Sequence, residues 1–201
     1  MVVASAAAER TRRGARMAMG LPCGRRTPAG RVRWYLLRVP EGREQDVCDR
    51  LLRLIPKDLL DDAFVPQKER WIKRDGTWSL SAAPMYRGYA FALSRDAAGL
   101  AKALAGLSVP AELAGTEQRA WLPLADEVAA WFAQSMDARH VIRSSTAEIR
   151  DGVLRVLDGP LAGQEARISR IDRHRRRCLV SVGDADGGFT ESMPIDVPHK
   201  S

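Results

Sequence analysis

The chain has 201 residues and a formal net charge of +7, enough for one sizeable domain or two small ones. Residues 1–33 hold eight arginines against one glutamate, whereas residues 34–201 balance 24 basic with 24 acidic side chains, so any basic face on the body must come from local clustering. Cys23, Cys48 and Cys178 lack metal-ligand spacing, and their odd number argues against a secreted disulfide framework. No stretch reaches the roughly eighteen apolar residues of a membrane span, and the N-terminal segment has no apolar signal core, which points to a reduced, cytoplasmic compartment.

Residues 1–32, rich in Ala, Arg, Gly and Pro without periodicity, are expected to form a disordered tail or to precede a true start at Met17 or Met19. The first element is RWYLLRV, a strand over 33–39 ended by Pro40. A helix follows, with Val47, Cys48, Leu51, Leu52 and Ile55 on one face and Pro56 as its stop. Two strand-like pieces then flank Asp75-Gly76, a strong hairpin dipeptide. In PMYRGYAFAL, a further strand, Gly88 predicts a bulge or a close backbone approach, and Tyr86 and Tyr89 are expected on opposite faces.

Ser94 is the predicted N-cap of the next helix, with Leu100 and Leu104 as core anchors. The last helix carries Leu124, Val128, Trp131 and Phe132 at packing spacing. Strand, helix, hairpin, strand, helix and helix predict an α+β sandwich, helices covering an antiparallel sheet. Beyond it the period is two. Strand candidates over 152–157, 165–172, 178–183 and 189–197 suggest a small β-barrel. The expected organisation is a domain over 33–136, a linker over 137–147 and a second domain over 148–201.

The chemistry is concentrated in one run. Arg167, Arg170, Arg173, His174, Arg175, Arg176 and Arg177 lie in or beside the turn between two of these strands, with a bulge expected near the end of the first. Adjacent cations repel, while guanidinium forks suit a phosphate backbone and, with His174, can stack on exposed bases. A solvated basic loop is the alternative. Gly159, Pro160 and Gly163 read as turn formers, because Gly-Pro-x-x-Gly lacks the strand-loop-helix setting of a nucleotide loop.

Enzymatic readings find little support. His140, His174 and His199 are too dispersed for a ligand cluster, no catalytic motif is present, and no cofactor or metal is called for. The acidic pairs Asp61-Asp62 and Asp184-x-Asp186 read as caps, and Cys48 as packing.

Trp34-Tyr35 followed by Gly42-Arg43-Glu44, then Met85-Tyr86-Arg87-Gly88-Tyr89 with Phe91 beyond, resemble the signatures of the N-terminal domain of NusG-like transcription elongation factors. Gly152, Val156, Gly159, Pro160, Leu161 and Gly163 are similar to the KOW motif of that family's C-terminal domain, an SH3-like barrel. The run Ile171-Asp172-Arg173-His174-Arg175-Arg176 points toward the LoaP antitermination branch. The resemblance covers roughly residues 33–200. Arg87 departs from the family's usual proline, and Val153 from the aspartate commonly paired with the KOW glycine.

The resemblance implies a monomeric, non-catalytic factor that docks the clamp helices of the RNA polymerase β′ subunit through Tyr86, with Met85, Arg87, Tyr35 and Tyr89 as weaker candidates. Its KOW domain would hold a hairpin of the nascent leader RNA through the arginine run, and upstream or non-template DNA is a further partner. The first rival is a general NusG-type factor whose barrel binds a protein, with Ile168, Ile171 and Met193 as docking residues. The second, a ribosomal KOW protein, fits poorly with the neutral body.

Overall fold

A computed structural model describes residues 30–115, 121–183 and 188–200. Residues 1–29 of the expected tail, including Cys23, and the acidic turn at 184–187 lie outside the described residues. Contacts divide the chain into two compact units, one from 30–65 and 86–125, the other from 66–85 and residues 126 onward.

The first unit is an α+β sandwich. Strand β1 (Arg33–Arg38) pairs antiparallel with β5 (Tyr89–Ser94), β2 (Asp62–Phe64) lies outside β5, and β6 (Glu112–Leu113) lies on the other side of β1. Alternation sends Tyr35 and Leu37 of β1 into a core with Val47, Cys48 and Leu51 of helix α1 (Glu44–Leu54) and Leu100 and Leu104 of helix α2 (Ala97–Ala105). Truncating a fully buried leucine such as Leu51 to alanine would cost about 2–5 kcal/mol. Trp34, Phe64 and Phe91 form an aromatic cluster, with ring centroids 5.4 to 5.8 Å apart.

The cap of α2 differs from expectation. Asp96, and not Ser94, is the N-cap, its carboxylate accepting from the Gly99 N–H at 2.9 Å. Ser94 sits two residues earlier, its hydroxyl accepting from Asp96 N–H and donating to the Leu59 carbonyl.

The second unit joins two sheets and a helix. Strands β3 (Gln67–Arg74) and β4 (Thr77–Pro84) form a hairpin whose turn residues, Asp75 and Gly76, both have positive φ. Strand β7 (Val141–Ile142) runs parallel to β3. The other sheet has the order β10 (Ile168–Asp172), β11 (Arg177–Val182), β12 (Phe189–Lys200), β8 (Ser145–Arg150), β9 (Val153–Asp158).

Strand β12 gives its first half to β11, antiparallel, and its second half to β8, parallel, so the sheet curls around it. The result is a curled half-barrel: among the described residues β9 and β10 do not pair to close it. A 3₁₀ turn, Glu165–Arg167, occupies the start of the strand expected over 165–172, and its Glu165 carboxylate accepts from Val156 N–H of β9 at 3.0 Å. Helix α3 (Asp126–Ser135) buries Val128, Trp131 and Phe132, with the Trp131 indole N–H donating to Gln164.

The unit boundaries thus fall elsewhere than the contiguous segments expected from the sequence. The hairpin sits in the second unit because Lys68 donates to Glu191 and to the Ser192 carbonyl of β12, and the Trp71 indole donates to Ser144. The segment read as a linker contains β7 and the first residues of β8.

Candidate functional site

The arginine run is folded around one carboxylate. Asp172 ends β10, and its side chain accepts from the Arg175 backbone N–H at 3.0 Å, closing the four-residue turn that leads to Arg177. The Arg177 and Arg175 guanidinium Nε atoms lie 3.6 and 3.9 Å from its other oxygen. The Arg175 N–H bond, followed by the charges of Arg177 and Arg175, holds the Asp172 carboxyl below its ordinary value despite some desolvation. The bulge in β10 lies between Ile168 and Arg170, earlier than expected.

Arg176 is held differently from its neighbours. Its backbone takes a positive φ of 48°, its carbonyl accepts from Ile195 N–H, and its guanidinium donates to Asp196 at 3.1 Å. The same guanidinium carbon lies 4.5 Å from the Trp71 ring centre and 5.1 Å from that of Trp78, so the hairpin clasps it. One member of the run therefore has intramolecular partners that account for its presence. Arg173, His174 and Arg175 are exposed at the turn, as are Arg167 and Arg170, while Arg177 is half-buried.

Beside the turn lies an open groove of about 650 Å³. Arg170, Arg173 and His174 line it together with Ile171, Val197 and Pro198, and Arg176 closes it on the hairpin side. Asp172 and Asp196 also line it and temper its charge.

Gly159 has φ +98°, and a Cβ there would stand 2.7 Å from the Ser145 Cα, so the Gly-Pro-Leu turn lies directly on the start of β8. Leu161 is fully buried, its N–H donating to the Ser145 hydroxyl. Gly163 also has positive φ, 74°, but faces open space.

In the first unit, Tyr35 and Tyr89 are buried on β1 and β5. Burial, partly offset by the charge of Arg33, raises the Tyr35 phenol above its ordinary value. Tyr86 does not share a strand with Tyr89: β5 begins at Tyr89, and Tyr86 lies half-buried in the preceding bend. Gly88, φ +75°, makes the predicted close approach, with its carbonyl accepting from Val39 N–H at 2.9 Å. Arg87 is exposed and pairs with Glu41 at 3.0 Å. Met85 is half-buried and belongs to the second unit.

Sequence reasoning missed the aromatic clasp on Arg176. Its only sequence trace is Trp71 and Trp78 interleaved with Lys73 and Arg74. Among the described residues no group of three or more His, Cys, Asp or Glu side chains could hold a metal, and no helix is long and apolar enough to cross a membrane.

No family model matches the chain, and no curated protein matches it. Among solved structures, one described as "Domain interaction in Thermotoga maritima NusG" superposes with a TM-score of 0.47 at 15% identity, covering 83% of this chain and 96% of that chain. A likeness of that size carries no inference about activity, which rests on the residues themselves.

Proposed function

We propose that the chain is a non-catalytic accessory factor of transcription elongation, of the general NusG type, acting by binding alone. The observation that carries this reading is the hydrogen bond between Glu44 and Gly88, at 2.8 Å, which joins the Gly-x-Glu and Tyr-x-Gly-Tyr pieces of sequence that resemble that family. A NusG-type assignment gives the first unit the β′ clamp helices of RNA polymerase as partner, with Tyr86 and Arg87 at the contact, and upstream or non-template DNA nearby. The second unit would then bind a protein of the translation or termination machinery. Retention of RNA polymerase on the immobilised full chain, in ribosome-free extract, tests the assignment. Loss of retention in Tyr86→Ala with an unchanged melting temperature supports docking by that residue, and no retention by the native chain would sink the reading.

One feature favours a second, narrower reading: processive antitermination guided by a nascent RNA hairpin. Arg173, His174 and Arg175 are exposed on one turn, where they suit phosphates and unstacked bases. Tethering a weak RNA contact to a weak polymerase contact would make the factor selective for one transcript. Titration of the full chain with a leader hairpin and a scrambled hairpin at several salt concentrations separates the two readings. Preference for the native hairpin, reduced by Arg173→Ala and Arg175→Ala, supports antitermination, whereas equal weak binding returns the chain to the general class.

A further inference from the structure

The groove beside the arginine turn has features that a phosphate contact alone does not explain. Phosphate capture by cations needs neither apolar neighbours nor a concave site, and the exposed Arg173 and Arg175 already supply it. The groove adds Ile171 and Pro198 as apolar lining residues, with His174 beside them. Its volume of about 650 Å³ lies within the range of small-molecule sites. Arg176 forms one wall, and the contacts with Trp71, Trp78 and Asp196 fix the plane of its guanidinium before any ligand arrives.

We propose that this groove is a binding site for an unpaired nucleotide, whose base lies against Ile171 and Pro198 beside His174 and whose phosphates are taken by Arg170 and Arg173. The proposal rests on the RNA reading above and specifies what the second unit recognises: a base turned out of a helix, in a loop, bulge or single strand, and not a regular duplex. Charge complementarity selects an anionic ligand, and His174 with the apolar lining residues selects one with a flat face. The hairpin acts indirectly. Trp71 and Trp78 position Arg176 and are positioning residues for the site.

The test uses the full chain and fluorescence anisotropy of end-labelled oligonucleotides of roughly six nucleotides, as single-stranded RNA, single-stranded DNA, the same backbone without bases, and a blunt RNA duplex. Base-bearing single strands are expected to bind roughly tenfold tighter than the abasic backbone and tighter than the duplex. His174→Ala is expected to erode the advantage of base over abasic backbone, and Arg170→Ala to weaken all single strands. Both residues are exposed, so these variants keep the fold. The RNA and DNA arms decide whether the 2′-hydroxyl contributes.

Equal binding of base-bearing and abasic strands overturns the proposal, as does a preference for the duplex. Duplex binding that depends on Arg173 and Arg175, with single strands ignored, overturns the groove assignment and leaves the hairpin reading standing. If no nucleic acid binds, both fall, while retention of polymerase is unaffected.

Discussion

The carboxylate of Glu44 accepts a hydrogen bond from the backbone N–H of Gly88 at 2.8 Å, fastening the first turn of α1 to the bend that feeds β5. Since the Gly88 carbonyl also accepts from Val39 N–H, this glycine is held through both of its backbone polar groups. Glu44 is 6% exposed and Gly88 half-buried, so removing the carboxylate would leave a partly desolvated donor without its partner. Glu44→Ala is expected to lower unfolding stability by about 1–3 kcal/mol, and Glu44→Gln by less, because the amide oxygen can still accept. Chemical denaturation of the three proteins measures the difference.

The pH dependence of the same contact has a definite sign. Burial pushes the Glu44 carboxyl up, but N–H bonds from Gly88, its own backbone and Gly42, with the charge of Arg87, bring the net value below the ordinary 4.5. A depressed folded value means that the unfolded chain binds the proton more readily. The contribution of Glu44 is therefore present above its ordinary value and lost as pH falls through the depressed one. The stability gap between the native chain and Glu44→Gln should narrow over that acidic range.

Gly159 and Gly163 bracket one turn and have positive φ in common, yet they face different surroundings. A Cβ at 159 would stand 2.7 Å from the Ser145 Cα and 3.0 Å from the Ser144 carbonyl, whereas one at 163 meets nothing within 4 Å. Gly163→Ala should incur only the strain of a left-handed backbone, about 1–3 kcal/mol, while Gly159→Ala adds a backbone clash and destabilises more. Thermal melts of both variants check the order, and a smaller loss for Gly159→Ala would refute the close approach.

Lys68 and Glu191 form an ion pair whose side chains are only 9% and 14% exposed, and Lys68 also donates to the Ser192 carbonyl. Removing one partner leaves the other charge buried, at a cost of about 3–5 kcal/mol. Lys68→Met and Glu191→Met are each expected to destabilise strongly, and the double variant to recover much of the loss. A double-mutant cycle gives the coupling directly. Additive losses would mean that the two charges do not depend on each other.

What the sequence made legible follows from locality. β1, α1 and the β3–β4 turn are encoded by nearby residues: alternating apolar positions, one apolar helix face, and Asp75-Gly76. The Ser94 assignment failed because Ser94 and Asp96 are both capping residues two positions apart, and the hydroxyl of Ser94 is used by Leu59 instead. β8 went unread because its inward positions, Ser145 and Ala147, are small and give the alternation little apolar amplitude.

The groove was half legible. Clustering of Arg170, Arg173 and His174 was visible in the chain, but the wall formed by Arg176 depends on Trp71 and Trp78, far earlier in the sequence. No local pattern announces such a contact. The same holds for the placement of the hairpin in the second unit, which rests on the side chains of Lys68, Glu69 and Trp71 meeting β12 and the segment before β8.

Cys48 and Cys178 are both buried, and burial pushes each thiol up to about 12 from its ordinary 9.0. Charges of Asp49, Asp62 and Glu44 add to the effect at Cys48, while burial acts alone at Cys178. Both thiols are therefore protonated at neutral pH and should be unreactive toward alkylating agents in the folded protein. Peptide mapping after iodoacetamide should find them unmodified in buffer and modified in denaturant; labelling of either in the folded chain would contradict the burial. A raised folded value also means stability that is full below pH 9.0 and lost as pH rises toward about 12, because the unfolded chain ionises first. Cys48→Ala/Cys178→Ala should remove that alkaline component while lowering stability at neutral pH through lost packing.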